Sequence, residues 1–364
     1  MAILLTGGTG ALGRELVRVL RDDAQGELFI LTRDPSSAAG VIAQPGVRFI
    51  HGDVTHEGFA LADSDAAVLR GQVTQLVHCA AATSFTLPLE TARAVNVHGT
   101  RNVLAFARDC RRVASIACAS TVYVAGRRTG IIRESDTSSD GWVNTYEQSK
   151  HEMEVVVRDA MTTLPVSLYR FSTIIGHSQT GEVTGFNAIH HALRLFYHGL
   201  APMIPGDLAT RIDLVPVDFA ARALHHLVIH GFEGGRTYHL SAGTERSCTL
   251  DELLADTVSV FEQSRPAWRK RRIERPAVVD VDTYALFTRS VEESGNVVLQ
   301  RATQAVQAFA WQMAYPKTFD TTGADAALAD TGIVAPHVNT YYGKVVRHCV
   351  ETSWGRGASD GAAA

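Results

Sequence analysis

Ile3-Leu4-Leu5-Thr6-Gly7-Gly8-Thr9-Gly10-Ala11-Leu12-Gly13-Arg14 opens the chain with an apolar run and a turn spaced by glycines; Leu12, Leu16, Val17, Val19 and Leu20 then form a helical stripe. The order is strand, tight turn, helix. Glycines at 7, 10 and 13 let the backbone take conformations closed to other residues and let a pyrophosphate approach without meeting a Cβ. The helix start then offers N–H groups and a positive dipole end to the phosphates. This stretch reads as a dinucleotide-binding turn, against the plainer alternative of an ordinary strand–helix connection.

The alternation continues outward from that turn. Glu27 to Thr32 reads as a second buried strand ending in Arg33-Asp34-Pro35, and Val47 to Ile50 as a third, followed by His51-Gly52-Asp53-Val54. A helix is expected over 59–70, a strand over Gln75 to Ala81, a long amphipathic helix over 90–109, a strand over Val113 to Ala119, a helix over 145–162 and a strand over Pro165 to Phe171. Strands apolar on both faces, separated by helices, predict an α/β fold with a doubly wound parallel sheet of the Rossmann type, its ligand at the strands' C-terminal ends. Further on, a helix is expected at 186–199, a short strand over Arg211 to Val217, a helix from Asp218, a strand over Thr237 to Ser241, and a striped helical segment at 294–314. The expected division is a cofactor domain of 1–177 plus about 211–242, a smaller, mostly helical substrate lobe of 178–210 and 243–350, and a disordered tail at 355–364.

Composition excludes several function classes. The 364 residues are 46% hydrophobic and 20% charged with a net charge of −4, which argues against a dedicated nucleic-acid binder; the one basic block, Arg269-Lys270-Arg271-Arg272, reads as a solvated face. Five scattered cysteines (Cys79, Cys110, Cys118, Cys248, Cys349) show no C-x-x-C spacing and read as core residues of a reducing compartment. No apolar run approaches the length of a membrane span, and the first strand begins one residue after Met1, so the expected location is the cytoplasm. His190-His191 and His225-His226 are adjacent pairs that point to different helix faces, and no metal is assigned.

Tyr146-Glu147-Gln148-Ser149-Lys150 carries the chemistry. Tyr and Lys four apart share a face at a helix start. A neighbouring ammonium would stabilise a phenolate whose ordinary pKa, about 10, is too high for work at neutral pH. With nine tyrosines and four lysines in the chain, chance predicts about 0.1 such pairs, and this is the one present. Upstream, Ala119-Ser120-Thr121-Val122-Tyr123-Val124-Ala125-Gly126 ends a strand with two hydroxyls, either satisfying local backbone groups or polarising a substrate carbonyl.

Taken in order over roughly residues 1–245, the glycine turn, Asp53-Val54, His78-Cys79-Ala80-Ala81, Asn96-Val97-His98-Gly99-Thr100, Ser120-Thr121 and Tyr146 to Lys150 resemble the extended short-chain dehydrogenase/reductase family. The resemblance implies a catalytic triad of Thr121 (rather than Ser120), Tyr146 and Lys150. It implies cofactor contacts from Thr6, Gly7, Gly10, Ala11, Leu12, Gly13, Arg14, Arg33, Asp53, Val54, Ala80, Ala81, Lys150, Phe171 and Thr173, with Phe171 standing where the family usually has proline. Asn96 would be structural or lie on the cofactor side. The run Phe59 to Leu69, the stretch Ser120 to Gly126, Tyr169 to Gly176 and Asp213-Leu214-Val215-Pro216-Val217-Asp218 look like the thioester-reductase and fatty-acyl-CoA-reductase branch. Sugar-nucleotide dehydratases have an acidic pair where this chain has Val122 and Tyr123.

The second strand ends in Arg33, with Arg14 also at hand. Two guanidiniums suit the 2′-phosphate of NADP(H) better than the 2′-hydroxyl of NAD(H), although Asp34 could serve a ribose. The implied activity is hydride transfer from NADPH to an acyl thioester, giving an aldehyde or alcohol. Since no adenylation or carrier segment is recognisable, the substrate is expected to arrive in trans, on coenzyme A or a carrier protein. Phe85, Phe186 and the helix at 186–199 are candidate walls for it. The resemblance allows a homodimer through the helices at 90–109 and 145–162. The rival readings are a ketone or alcohol oxidoreductase or epimerase acting on steroid-like, flavonoid-like or sugar-nucleotide substrates, and a dinucleotide-sensing regulator without catalysis.

Overall fold

The computed structural model describes residues 1–23, 26–36, 38, 45–269 and 273–355. Lys270 to Arg272 of the basic block, and the tail beyond Gly355, lie outside the described residues. Seven strands form one parallel sheet: β1 (Ala2–Thr6), β2 (Glu27–Thr32), β3 (Val47–His51), β4 (Gln75–His78), β5 (Ser115–Thr121), β6 (Val166–Phe171) and β7 (Thr237–Leu240). Their spatial order is β3-β2-β1-β4-β5-β6-β7, so the winding reverses between β1 and β4, where Thr6 pairs with His78. In such sheets ligands bind at that reversal, outside the strands' carboxyl ends.

Each strand is apolar throughout because both faces are covered. Ile3 and Leu5 join Leu28 and Ile30 in one core, while Ala2 and Leu4 join Phe29 and Leu31 in the other, following the two-residue period of a strand. The first core is closed by α1 (Ala11–Asp22) through Leu16, Val17 and Leu20. The second lies under α2 (Asp63–Gln72) and a long helix made of α3 (Leu89–Arg93), a π turn (Ala94–His98) and α4 (Gly99–Asp109), together with α5 (Thr145–Ala160). A third apolar cluster lies in the C-terminal half. It gathers α6 (Ala188–Tyr197), α8 (Leu250–Ser264), α10 (Val297–Met313) and α11 (Tyr342–Glu351); α7 (Val217–Ile229) belongs to the first core, and α9 (Val281–Glu293) packs beside α10.

Four local departures from the sequence reading have physical causes. The helix expected at 59–70 starts at Asp63, because Phe59 turns inward, fully buried against Phe106 at 4.7 Å, and holds Gly58 and Phe59 at positive φ. The helix at 90–109 contains a π turn, which re-aims Asn96. The strand expected over 211–217 divides at Asp213: Arg211–Ile212 pairs with Cys248–Thr249, and Leu214–Val215 with Thr173–Ile174. Lys317–Phe319, expected in the lobe, pairs with Gly130–Ile132, and Ala324, Leu328 and Ala335 join the first sheet core.

Candidate functional site

The turn after β1 meets the steric demand of a phosphate cradle. Gly7 has φ +75°, and a Cβ there would stand 2.5 Å from the Ala80 nitrogen; a Cβ at Gly13 would run into the Gly7 carbonyl oxygen. The turn is closed by Gly10 N–H donating to the Gly7 carbonyl at 3.1 Å, and Arg14 N–H to the Gly10 carbonyl at 2.9 Å starts α1. The first-turn amides of α1, from Ala11, Leu12 and Gly13, have no helical acceptor, and Gly7 to Gly10 alone separate α1 from the carboxyl end of β1. The residues present therefore fit a dinucleotide pyrophosphate.

A buried chain of hydrogen bonds fixes the reversal point. The single proton of the Thr100 hydroxyl goes to the Asn96 carbonyl at 2.7 Å, so His78 Nε2 donates to Thr100 Oγ1 at 3.1 Å. His78 Nδ1 then accepts from Thr6 Oγ1 at 2.7 Å, and Thr6 Oγ1 accepts from Ala80 N–H at 3.3 Å. Burial, with the Lys150 charge nearby, pushes the imidazole down to about 3, so it stays neutral and keeps this tautomer. Asn96 Oδ1 accepts from Ala82 N–H at 2.8 Å, while its Nδ2 donates to Ser149 Oγ at 2.9 Å; Ser149 Oγ donates in turn to the Tyr146 carbonyl at 3.0 Å. Asn96 thus ties the loop after β4 to the first turn of α5.

That turn carries Tyr146. Asn144 caps α5, accepting from Glu147 N–H at 2.9 Å, and Thr145 Oγ1 donates to the Leu87 carbonyl at 2.8 Å. The Tyr146 hydroxyl is hydrogen-bonded to Thr121, and its ring stands 5.5 Å from Phe85. Burial pushes its phenol up to about 12, against the Thr121 hydrogen bond. Ser120, one residue earlier, points elsewhere and donates to Glu154 Oε1 at 2.6 Å. Lys150 is buried, and its ammonium donates to the Ala119 carbonyl at 2.7 Å. Burial pushes it down to about 8. The sequence reading has Lys150 lowering the phenol's pKa; here the ammonium is turned to the backbone and burial dominates Tyr146.

The remaining expected residues scatter around this centre. Arg33 is exposed at the end of β2, close enough to Asp53 to favour its carboxylate; burial raises Asp53, but the Thr55 N–H and hydroxyl, each 2.9 Å from Oδ1, hold it below its ordinary value. Arg14 Nε donates to the Thr9 carbonyl at 2.7 Å. Asp34 Oδ1 accepts from Ser36 Oγ at 2.7 Å. Val54 packs into the second sheet core, with Ala80 at its border; Ala81 is half-buried in the loop beyond β4. Leu12 and Phe171 turn into the first core, so Phe171 offers the site its backbone rather than its ring. Thr173 Oγ1 pairs with the Tyr123 hydroxyl at 3.0 Å. Phe186 packs on the C-terminal cluster, 5.5 Å from His190.

Sequence reasoning missed the ion network behind Ser120 and α5. Arg170 donates to both oxygens of Glu154 (2.9 and 2.7 Å), to the Asp136 carbonyl at 2.8 Å and to His239 Nε2 at 3.2 Å. Arg158 reaches Glu154 Oε2 at 2.8 Å. The signal was present: an arginine inside the apolar run Val166 to Phe171 has to be buried with a counter-charge. A second missed link joins Gln312 of α10 to Glu147 Oε1 at 3.0 Å, tethering the start of α5 to the C-terminal half.

A doubly wound sheet with a glycine turn at its reversal, and a hydroxyl, a tyrosine and a lysine gathered at its C-terminal edge, is the architecture of the extended short-chain dehydrogenase/reductase class. Residues 5–224 match the family model of NAD-binding domains described as male sterility protein, and the chain belongs to that family. It is 28% identical over 265 residues to the glycine betaine reductase ATRR of Emericella nidulans, covering 62% of this chain and 20% of that protein. It is 24% identical over 272 residues to the fatty acyl-CoA reductase wat of Drosophila melanogaster, covering 61% of this chain and 53% of that one. The chain thus spans about half or less of the length of these relatives. The crystal structure of the terminal R domain from the myxalamid PKS-NRPS biosynthetic pathway shares the fold, with a TM-score of 0.80 at 24% identity over 97% of this chain and 91% of that domain. No described helix is long and apolar enough to cross a membrane.

Proposed function

We propose that this chain reduces an acyl thioester, held on coenzyme A or on a carrier protein, to an aldehyde or alcohol at the expense of NADPH. The observation that carries the chemistry is the juxtaposition of Tyr146 and Thr121 beside buried Lys150, at the edge where Gly7 and the start of α1 can hold a pyrophosphate. The choice of thioester is supported by the likeness to a fatty acyl-CoA reductase.

Bound NADPH supplies the hydride. Tyr146, kept protonated by burial, holds a proton that can pass to the carbonyl oxygen as charge develops there. Thr121, beside the Tyr146 hydroxyl, adds a second hydroxyl for the developing charge, whereas Ser120 is committed to Glu154. Lys150, fixed on the Ala119 carbonyl, is placed to orient a cofactor ribose. Collapse of the reduced carbon releases the thiol and leaves an aldehyde. Arg33 and Arg14, with the Asp34 carboxylate turned to Ser36, favour the 2′-phosphate over a bare ribose. Phe85 beside Tyr146 is a wall for the acyl group.

The test is NADPH oxidation with acyl-CoA thioesters, ketones and sugar nucleotides, run beside Tyr146→Phe. Thioester-dependent turnover that falls by about 10²–10⁴-fold in the variant is expected. Turnover on ketones or sugar nucleotides alone would overturn the substrate assignment, and equal use of NADH would overturn the cofactor preference.

A further inference from the structure

At the opposite edge of the sheet, the C-termini of α1 and α7 meet. Asp23 follows the last turn of α1, His225 lies in the last turns of α7, and His230 follows its end. His225 Nε2 stands 3.2 Å and His230 Nε2 3.3 Å from the same oxygen, Asp23 Oδ2, and one ligand atom from each residue lies within 4.8 Å of the other two. A tetrahedral zinc ion with bonds of about 2.0–2.1 Å holds its ligand atoms about 3.3–3.4 Å apart. The two carboxylate–imidazole distances therefore already match the edges of such a site. The terminal carbonyls of both helices add negative potential there.

We propose that Asp23, His225 and His230 bind a divalent cation of the zinc type, with water in the fourth position, clamping α1 to α7. Two imidazoles and one carboxylate select zinc, cobalt or nickel over magnesium or calcium, which prefer all-oxygen shells. The adjacent pair His225-His226 cannot chelate through one helix face. The productive partner of His225 is His230, with Asp23 supplied from a helix about two hundred residues earlier. The clamp is remote from Tyr146 and does not depend on the proposed reaction.

The test uses the full chain, with any histidine tag removed, titrated with zinc chloride by calorimetry and followed by thermal unfolding. One zinc per chain at micromolar affinity, a raised Tm, and no response to magnesium chloride are expected. His230→Gln, at an exposed position, and Asp23→Asn should each weaken zinc by more than about tenfold and abolish the Tm gain. Cobalt chloride should give visible bands of a tetrahedral ion in the wild type that both variants lose. Zinc affinity unchanged in both variants, or no binding below about 1 mM, would show that the three groups share only protons and would overturn the clamp; if Asp23→Asn fails to fold, His230→Gln decides alone.

Discussion

Glu154 and Asp213 are both buried carboxylates near the carboxyl ends of the sheet strands, and they titrate in opposite directions. Burial pushes Glu154 up, but the charge and hydrogen bonds of Arg170, with Arg158 and Ser120, outweigh it and hold the acid down to about 2. Burial pushes Asp213 up to about 6, because its partners among the described residues include the N–H groups of Ala242 and Gly243, each at 2.8 Å, but no cation. Burial alone does not decide a carboxylate's state; the formal charge of its partner does. Glu154 belongs to the rigid ground under Ser120 and α5, whereas Asp213 holds a chain crossing together with dipoles that only partly replace water.

The strongest way to break this contrast is Arg170→Met. It leaves Glu154 buried with Arg158 as its one cation, and a loss of about 3–5 kcal/mol in urea unfolding is expected. Adding Glu154→Gln should recover part of that loss; a strictly additive double variant would refute the coupling. Ser120→Ala removes a hydrogen bond to a charged acceptor and should cost about 1.5–3 kcal/mol. Its effect on turnover should be well below that of Thr121→Ala, and the reverse ranking would exchange the roles of the two hydroxyls. The finest probe is pH. The folded-state pKa of Asp213 lies above its unfolded value, so the folded chain binds the extra proton and the wild type loses stability as pH rises from about 4 to about 6. Asp213→Asn should lack this decline, so the Tm difference between the two proteins should drift across that window. Glu154 runs the other way, its contribution vanishing as pH falls from about 4.5 toward 2.

How far the sequence could be read depended on the range of the interaction. The glycine turn and strands β1, β2 and β6 are legible because a local period and a local steric demand specify them. The pair Tyr146–Lys150 is legible because one helix face does. The π turn at Asn96 is not, since its apolar stripe continues unbroken on either side. The two- and three-residue strands around Asp213 and Lys317 are too short for a period to register. Arg170–Glu154 and Asp23–His225–His230 exist only once distant segments meet. The sequence signal is limited to one charge inside an apolar strand in the first case, and to none in the second.

The hydrogen bonds of Asp213 also set where the polypeptide can be cut. The family-matched segment ends at 224, yet the donors that satisfy Asp213 lie at 242 and 243, and β7, which covers the edge of β6, runs from Thr237 to Leu240. An excised nucleotide-binding unit ending at the match boundary would keep every glycine of the first turn. It would also present an unprotected strand edge and a stranded carboxylate, so any transplantable module must run at least about twenty residues past the family signature, and the sheet core it carries is completed only by Ala324, Leu328 and Ala335.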